Sequence, residues 1–156
     1  MSETRLLANR IKRTVIGPMW HGPSLFQLLE AVTCEQATVR PAMSVHNIWE
    51  LVLHIITWVD VPLERLGGSA RKDVTTEEDW PTPPNTPSEA AWRATIARLE
   101  QRHRALAAAV RDMTDDQLDA IVAGHEYTVR EMLHGVVEHG TYHGGQIAVL
   151  KKLVAR

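Results

Sequence analysis

At 156 residues with a formal net charge of −2 at pH 7, the chain is long enough for a substantial core, and we predict one domain over residues 1–156. The balanced charge argues against nucleic-acid binding, and the lack of a long apolar run or a signal-peptide segment argues against a membrane or secreted protein. Because the single cysteine, Cys34, rules out an internal disulfide framework, we expect a cytoplasmic protein.

The first two predicted helices differ in how much of their surface is apolar. Residues 3–16 place apolar residues at helical spacing with basic residues between them, which indicates an amphipathic helix that ends at a Gly-Pro pair. The second helix is predicted to start at a cap on Ser44 and to cover residues 45–66, and it is apolar on nearly all sides. Since one bundle core does not need so much apolar surface, we predict a homodimer.

A long connection separates this second helix from the third. Residues 67–87 are rich in glycine, proline and charged residues and are predicted to cross over the bundle without forming a domain boundary. The third long helix follows, with Thr86 as its predicted N-cap and Pro87 at its first position. Short capped turns are predicted at residues 33–36 and 114–117, and no segment alternates like a β-strand. Together with the last helix, these elements predict an all-α four-helix bundle.

The last helix carries polar residues on its inward face. It begins at a capping box that starts at Thr128, and its apolar periodicity places His139, His143 and Gln146 where a core normally has apolar residues. Residues four apart lie one turn apart on the same face, so His139 and His143 can offer two imidazoles to one metal ion. A pair of hydrogen-bonded core histidines is the structural alternative.

Two glycines directly follow the second of these histidines. Glycine inside a helix lowers helix stability by about 1 kcal/mol relative to alanine, so Gly144 and Gly145 are unfavourable for the helix itself. Their presence predicts that another group approaches the helix backbone closely at this point.

Histidines on two other helices complete the set of candidate ligands. His54 is the ionisable residue in the middle of the apolar second helix, and His103 replaces an apolar residue on the inward face of the third. The most economical metal site joins His54 to His139 and His143, because three neutral imidazoles leave the open position of a catalytic zinc site. Gln146 is a candidate for orienting a ligand. His103 is a candidate fourth contact or proton shuttle, with a core histidine as the simpler interpretation.

The residues assembled above resemble the DinB-like superfamily, also described as DinB/YfiT-like. The resemblance rests on two stretches, Ser44-Val-His-Asn-Ile-Trp-Glu-Leu-Val-Leu-His54-Ile with Trp58 after it, and Glu138-His139-Gly-Thr-Tyr-His143-Gly-Gly-Gln146-Ile. Trp20-His-Gly-Pro-Ser24 and Asp79-Trp80-Pro81 are similar to lesser landmarks of the family. The resemblance implies a four-helix bundle that holds one divalent metal through His54, His139 and His143, the residues that helical position also selects.

The resemblance also implies a class of activity. Family members with known activity include metal-dependent S-transferases and isomerases that use low-molecular-weight thiols, and members are commonly dimeric. We therefore expect a thiol-dependent transferase acting on a small electrophile, with zinc or nickel as the metal and a low-molecular-weight thiol as cosubstrate. A metal-dependent hydrolase and a non-catalytic, stress-related metal-binding bundle stay open as alternatives. The residues expected around the substrate pocket are Trp20, His21, Trp58, Trp80 and Tyr142.

Overall fold

The structure is a computed structural model that describes residues 2–70 and 73–155, so residues 71 and 72 of the predicted connection lie outside the described ranges. Within these ranges the chain is helical, and its β-type pairing is limited to two isolated bridges. A short 3₁₀ helix covers Asp115–Asp119. The α-helices are α1 (Glu3–Ile16), α2 (Leu25–Leu29), α3 (Cys34–Thr38), α4 (Ile48–Leu66), α5 (Thr76–Asp79), α6 (Glu89–Arg111) and α7 (Val129–Val154).

Four of these helices are long and form the bundle. Helix α1 packs against α6 and α7, and α4 packs against the same two helices, so α1 and α4 lie on one diagonal and α6 and α7 on the other. The short helices α2 and α3 pack against this frame. The predicted all-α four-helix bundle is thus confirmed. Among the described helices, none combines the length and the apolar character that crossing a membrane requires.

Two of the predicted helix starts are wrong by two or three residues. Asn47, not Ser44, caps α4, because its side-chain oxygen accepts a hydrogen bond from the amide of Glu50 at 2.9 Å. The carboxylate of Glu50 in turn accepts from the amide of Asn47 at 2.9 Å, which completes a capping box. Ser88, not Thr86, caps α6, since its hydroxyl accepts from the amide three residues later at 3.2 Å.

The start of α1 is capped by a residue distant in the sequence. The carboxylate of Asp115 accepts hydrogen bonds at 3.0 Å from the amides of Glu3 and Thr4, and at 2.9 Å from the Thr4 hydroxyl. These backbone hydrogen bonds lower the pKa of the Asp115 carboxyl group. Because Asp115 lies four residues after the end of α6, the contact places the end of α6 near the start of α1, and the two helices run antiparallel.

The apolar surface of α4 is used inside one copy of the chain. Most of its apolar residues are buried against α6, α7 and α3, and Leu53, Trp58, Leu63 and Leu66 are partly buried, so little of the surplus from which a homodimer was predicted is left on this helix. The homodimer itself stays a prediction, and its physical basis has to be sought on other helices. The buried apolar residues of α4 include Ile48, Trp49, Leu51, Val52, Ile55, Ile56, Val59 and Val61.

Candidate metal centre

Three histidines from two neighbouring helices meet between α4 and α7. His54 comes from α4, and His139 and His143 come from successive turns of α7. One ring nitrogen from each histidine lies within 4.8 Å of those of the other two, so this cluster could hold a metal ion. The Nε2 atoms of His54 and His139 are 2.9 Å apart. The structure therefore brings together the same three histidines that helical position selected.

Hydrogen bonds on the outer side of the cluster determine which nitrogens carry lone pairs. His54 Nδ1 lies 2.6 Å from the backbone carbonyl oxygen of Asp79, and His143 Nδ1 lies 2.6 Å from Gln146 Oε1. A carbonyl oxygen can only accept, so both Nδ1 atoms carry the proton and both Nε2 atoms have a free lone pair. Metal-ligating histidines are oriented in the same way by acceptors behind them. The donor set therefore fits a metal site.

Burial keeps the three imidazoles neutral. It is the largest cause that lowers the pKa of His54 and of His143. The pKa of His139 falls to about 3, first because of burial and then because a charge there would be repelled by His143 and His54. Neutral imidazole is the form that coordinates a metal, so near neutral pH the cluster is in the protonation state that binding requires.

The histidines lie on the wall of an open cleft with a volume of about 1760 Å³. This cleft is bordered by α3, the loop before α4, α4 and α7, and Trp58, Trp80 and Tyr142 also line it. The indole ring of Trp80 stacks on His54, with ring centroids 3.9 Å apart and an angle of 5° between the planes. The volume exceeds the roughly 300–1,000 Å³ of a typical small-molecule site, so the cleft has room for two reactants.

Trp20 and His21 do not lie at this cleft, contrary to expectation. Both belong to the turn between α1 and α2, whereas the cleft is bordered by α3, α4 and α7. Trp20 is fully exposed, and His21 lines a very small separate cavity beside Thr14 and Gly140. Their position in a motif shared with a family did not indicate where the turn would pack.

Two residues of the site, His46 and Asp79, were not identified from the sequence as functional. His46 stacks on the opposite face of Trp80 from His54, with centroids 3.6 Å apart, and its Nδ1 lies 3.3 Å from Glu50 Oε2. Asp79 accepts from the indole nitrogen of Trp58 at 2.6 Å through its carboxylate, in addition to accepting from His54 through its backbone. The family-like tripeptide around Asp79 was a signal for that residue. No helical pattern could have paired His46 with a tryptophan in the long connection.

His103 lies outside the cluster. It is fully buried, its Nδ1 is 2.9 Å from the carbonyl oxygen of Leu99, and its Nε2 has no hydrogen-bond partner among the described residues. Burial lowers its pKa to about 4, so it is neutral at pH 7. The structure gives His103 the surroundings of a core histidine and provides no fourth contact to the cluster from it.

Another part of the chain approaches the α7 backbone most closely at Gly140, one turn before the predicted positions Gly144 and Gly145. A Cβ on Gly144 would make an ordinary contact, 3.4 Å from Leu25, and a Cβ on Gly145 would meet no atom within 4 Å. At Gly140, a Cβ would lie only 2.6 Å from the methyl carbon of Thr14 on α1. A side chain at position 140 would therefore force Thr14 or the helices to shift, while Gly145 leaves open space on the wall of the cleft.

The groove between α4 and α7 continues past the histidines. A second, mainly apolar cavity of about 470 Å³ extends from Trp58 and His139 towards Arg65 and Tyr127. Trp58 and His139 line both this cavity and the large cleft. Of the three histidines, His139 therefore borders both the large cleft and the apolar cavity.

The fold and the site together define a helical bundle with a potential three-histidine metal site between two adjacent helices. A family model described as the DinB superfamily matches residues 20–147, and the chain belongs to this superfamily. The match confirms the resemblance seen in the sequence and covers all three clustered histidines. No curated protein and no solved structure matches the chain significantly.

Proposed function

We propose that the protein is a metal-dependent enzyme in which His54, His139 and His143 hold one divalent ion, zinc or nickel. The observation that carries this proposal is the cluster of three neutral imidazoles on the wall of an open cleft. Three nitrogen ligands with an open position are typical of catalytic zinc, whereas structural zinc is enclosed by four protein ligands. A bound divalent ion would supply Lewis acidity and would lower the pKa of a coordinating thiol.

The reaction proposed is transfer of a low-molecular-weight thiol to a small electrophile. Thiolate is the reactive form, and its sulfur would attack an electrophilic carbon, forming a carbon–sulfur bond as the leaving group departs with its electron pair. The protein's own part is to position the reactants. Asp79 and Gln146 fix the orientations of His54 and His143, and Trp58 and Trp80 provide apolar walls. The size of the cleft supports a reaction with two substrates.

Metal content tests the site. The protein should be purified without a polyhistidine tag and analysed for zinc and nickel by elemental analysis. We expect about one metal ion per chain and a sharp loss in His143→Ala, because the remaining α7 ligand would lose its neighbour on the same face. His134→Ala is the matched control, since His134 is on the same helix but outside the cluster. Full metal retention in His143→Ala would show that the site is wrong.

Conjugation tests the reaction. Metal-loaded protein should be incubated with L-cysteine and 1-chloro-2,4-dinitrobenzene, and the thioether and chloride products followed against His139→Ala and His134→Ala. We expect faster conjugation with the wild type and His134→Ala than with His139→Ala. Equal rates in all samples would remove the transferase assignment. Metal-dependent hydrolysis of p-nitrophenyl acetate would then favour the hydrolase, and metal binding without either reaction would favour a non-catalytic bundle.

A further inference from the structure

A groove between α1 and α6 concentrates positive charge in a protein that is slightly acidic overall. It has a volume of about 420 Å³ and shares no lining residue with the large cleft. Its four cationic side chains are all exposed, and its remaining lining residues are small or neutral. The lining residues are Arg5, Ala8, Asn9 and Lys12 of α1 with Arg104, Ala107, Ala108 and Arg111 of α6.

The four cations form a regular arrangement. Each helix carries its two basic residues seven positions apart, which is two helical turns or about 10 Å along the axis. Because α1 and α6 are antiparallel, Arg5 lies towards the Arg111 end and Lys12 towards the Arg104 end. Packed helix axes are about 8–10 Å apart, so the four residues form two cationic pairs, one at each end of the groove, with about 10 Å between the pairs. The alanines between the pairs leave the centre of the groove open.

Most of this charge is not neutralised within the chain. Glu100 accepts a hydrogen bond from Arg104 Nε at 2.8 Å and offsets one of the four charges. In the part of the chain that the structure describes, Arg5, Lys12 and Arg111 form no ion pair. Like charges held along one groove repel one another, and a bound anion relieves this repulsion.

We propose that the groove between α1 and α6 binds a linear phosphate chain, as in tripolyphosphate. A cationic pair at each end of the groove suits an extended anion with charge at both ends, and arginine pairs well with phosphate oxygens because it presents several donors in a plane. No aromatic side chain lines the groove, so it offers no surface on which a nucleobase would stack. Recognition is therefore directed at the phosphates.

The test is calorimetric titration of metal-free protein with tripolyphosphate and with orthophosphate at an ionic strength of about 0.1 M, where the Debye length is about 10 Å. Metal-free protein is used because tripolyphosphate would compete for a metal at the histidine cluster. We expect tripolyphosphate to bind more tightly than orthophosphate. The double variants Arg5→Gln/Arg111→Gln and Lys12→Gln/Arg104→Gln should each weaken tripolyphosphate binding by about tenfold, since each removes the charged donors at one end.

Two further variants separate this site from general electrostatics. Arg10→Gln/Lys152→Gln removes the same net charge from exposed positions outside the groove and should leave the affinity within about twofold, because distant surface charges are screened by salt. Glu100→Gln removes the competing carboxylate and should tighten binding. All these positions are exposed or half-buried at the surface, so the variants should fold.

Three results would overturn the proposal. The first is that tripolyphosphate does not bind detectably. The second is that the groove variants and the control variant weaken tripolyphosphate binding equally. The third is that His139→Ala loses tripolyphosphate binding while the groove variants retain it. None of these would bear on the proposed enzyme activity, which depends on the histidine cluster and is measured with metal-loaded protein.

Discussion

Gln146 holds His143 in a ligating orientation through a single contact, the 2.6 Å approach of its Oε1 to His143 Nδ1. Gln146→Leu removes this acceptor while keeping an inward side chain of similar length. We expect the affinity for zinc to fall about 10–100-fold, as is usual when a residue behind a ligating histidine is lost. Competition with a chromophoric chelator measures this. Gln146→Glu keeps an acceptor oxygen and should retain the affinity, whereas equal loss in both variants would contradict the orienting role.

His103 illustrates a residue whose chemistry is set by burial. Its folded-state pKa is about 4 against the ordinary 6.5, so below pH 6.5 the unfolded chain binds a proton that the folded protein does not. The stability contributed by neutral His103 is therefore present above pH 6.5 and is lost as the pH falls towards 4. A pKa shift of this size corresponds to a loss of unfolding free energy on the order of 3 kcal/mol between pH 6.5 and pH 4.

Urea unfolding of the wild type and of His103→Leu at pH 7 and pH 4.5 measures this contribution. The unfolding free energy of the variant should fall less on acidification, because it lacks this proton-linked loss. At pH 7 the substitution should have a small effect, since the lost hydrogen bond from Nδ1 to the Leu99 carbonyl is offset by the removal of Nε2, a buried nitrogen without a partner among the described residues. Parallel losses of stability in the two proteins would contradict the assignment of a buried neutral histidine.

At the scale of helices, caps and periodicity had different predictive power. The capping box at Thr128 fixed the start of α7 correctly, because the cap and its partner three residues on are both in the sequence. The predicted cap Ser44 has no such partner three residues on, whereas the observed cap Asn47 has one in Glu50. Continued beyond Gln146, the alternation of three and four residues that predicts the inward face places Leu150 and Leu153 inward, but Leu153 is 53% exposed and Val154 is buried. A strict alternation of three and four residues drifts from the 3.6-residue period of a straight helix.

Two glycines of α7 should respond in opposite ways to the same substitution. Gly140→Ala places a methyl group 2.6 Å from the Thr14 methyl carbon, an overpacking that costs about 1–3 kcal/mol and outweighs the gain in helix propensity. Gly145→Ala meets no atom within 4 Å and should stabilise the helix by up to about 1 kcal/mol. Chemical denaturation of both variants measures the difference in sign.

A compensating substitution on α1 tests whether contact with Thr14 is the cause of the destabilisation expected for Gly140→Ala. Thr14→Ser removes the methyl group that Gly140→Ala would strike and keeps the hydroxyl, which donates to the carbonyl of Arg10 at 3.0 Å. The double variant Thr14→Ser/Gly140→Ala should therefore be more stable than Gly140→Ala alone. If Gly140→Ala stabilises the protein, or if Thr14→Ser gives no rescue, helix packing is not the reason for glycine at this position.

For the whole molecule, the histidine cluster could be predicted from the sequence because all three of its members lie on long periodic helices. Their helical positions alone place them on inward or near-inward faces. The contacts of Trp80 and Asp79 could not be predicted, because an irregular segment has no periodicity from which the direction of a side chain can be inferred. The basic groove was also hidden, since its two pairs of cations lie on helices far apart in the chain and only packing brings them together.

The surface through which we predict the homodimer to form lies beside the large cleft. The exposed apolar residues that border the large cleft lie on the outer side of α7 and near α3, where a second copy of the chain would cover them and narrow the cleft. Exposed apolar side chains around one cleft favour association, because covering them removes apolar area from water. The residues are Val39, Val45, Tyr142, Val149 and Leu153.

We predict that sedimentation velocity at micromolar concentration will show a dimer and that Val149→Glu/Leu153→Glu will shift it to a monomer. Two buried carboxylates at the interface would be desolvated without partners, which opposes association. Leu6→Glu is the control, because Leu6 is also half-exposed but lies on α1, and this variant should remain dimeric. A monomeric wild type would show the homodimer prediction to be wrong, and a dimer that survives the double substitution would place the interface on a different surface.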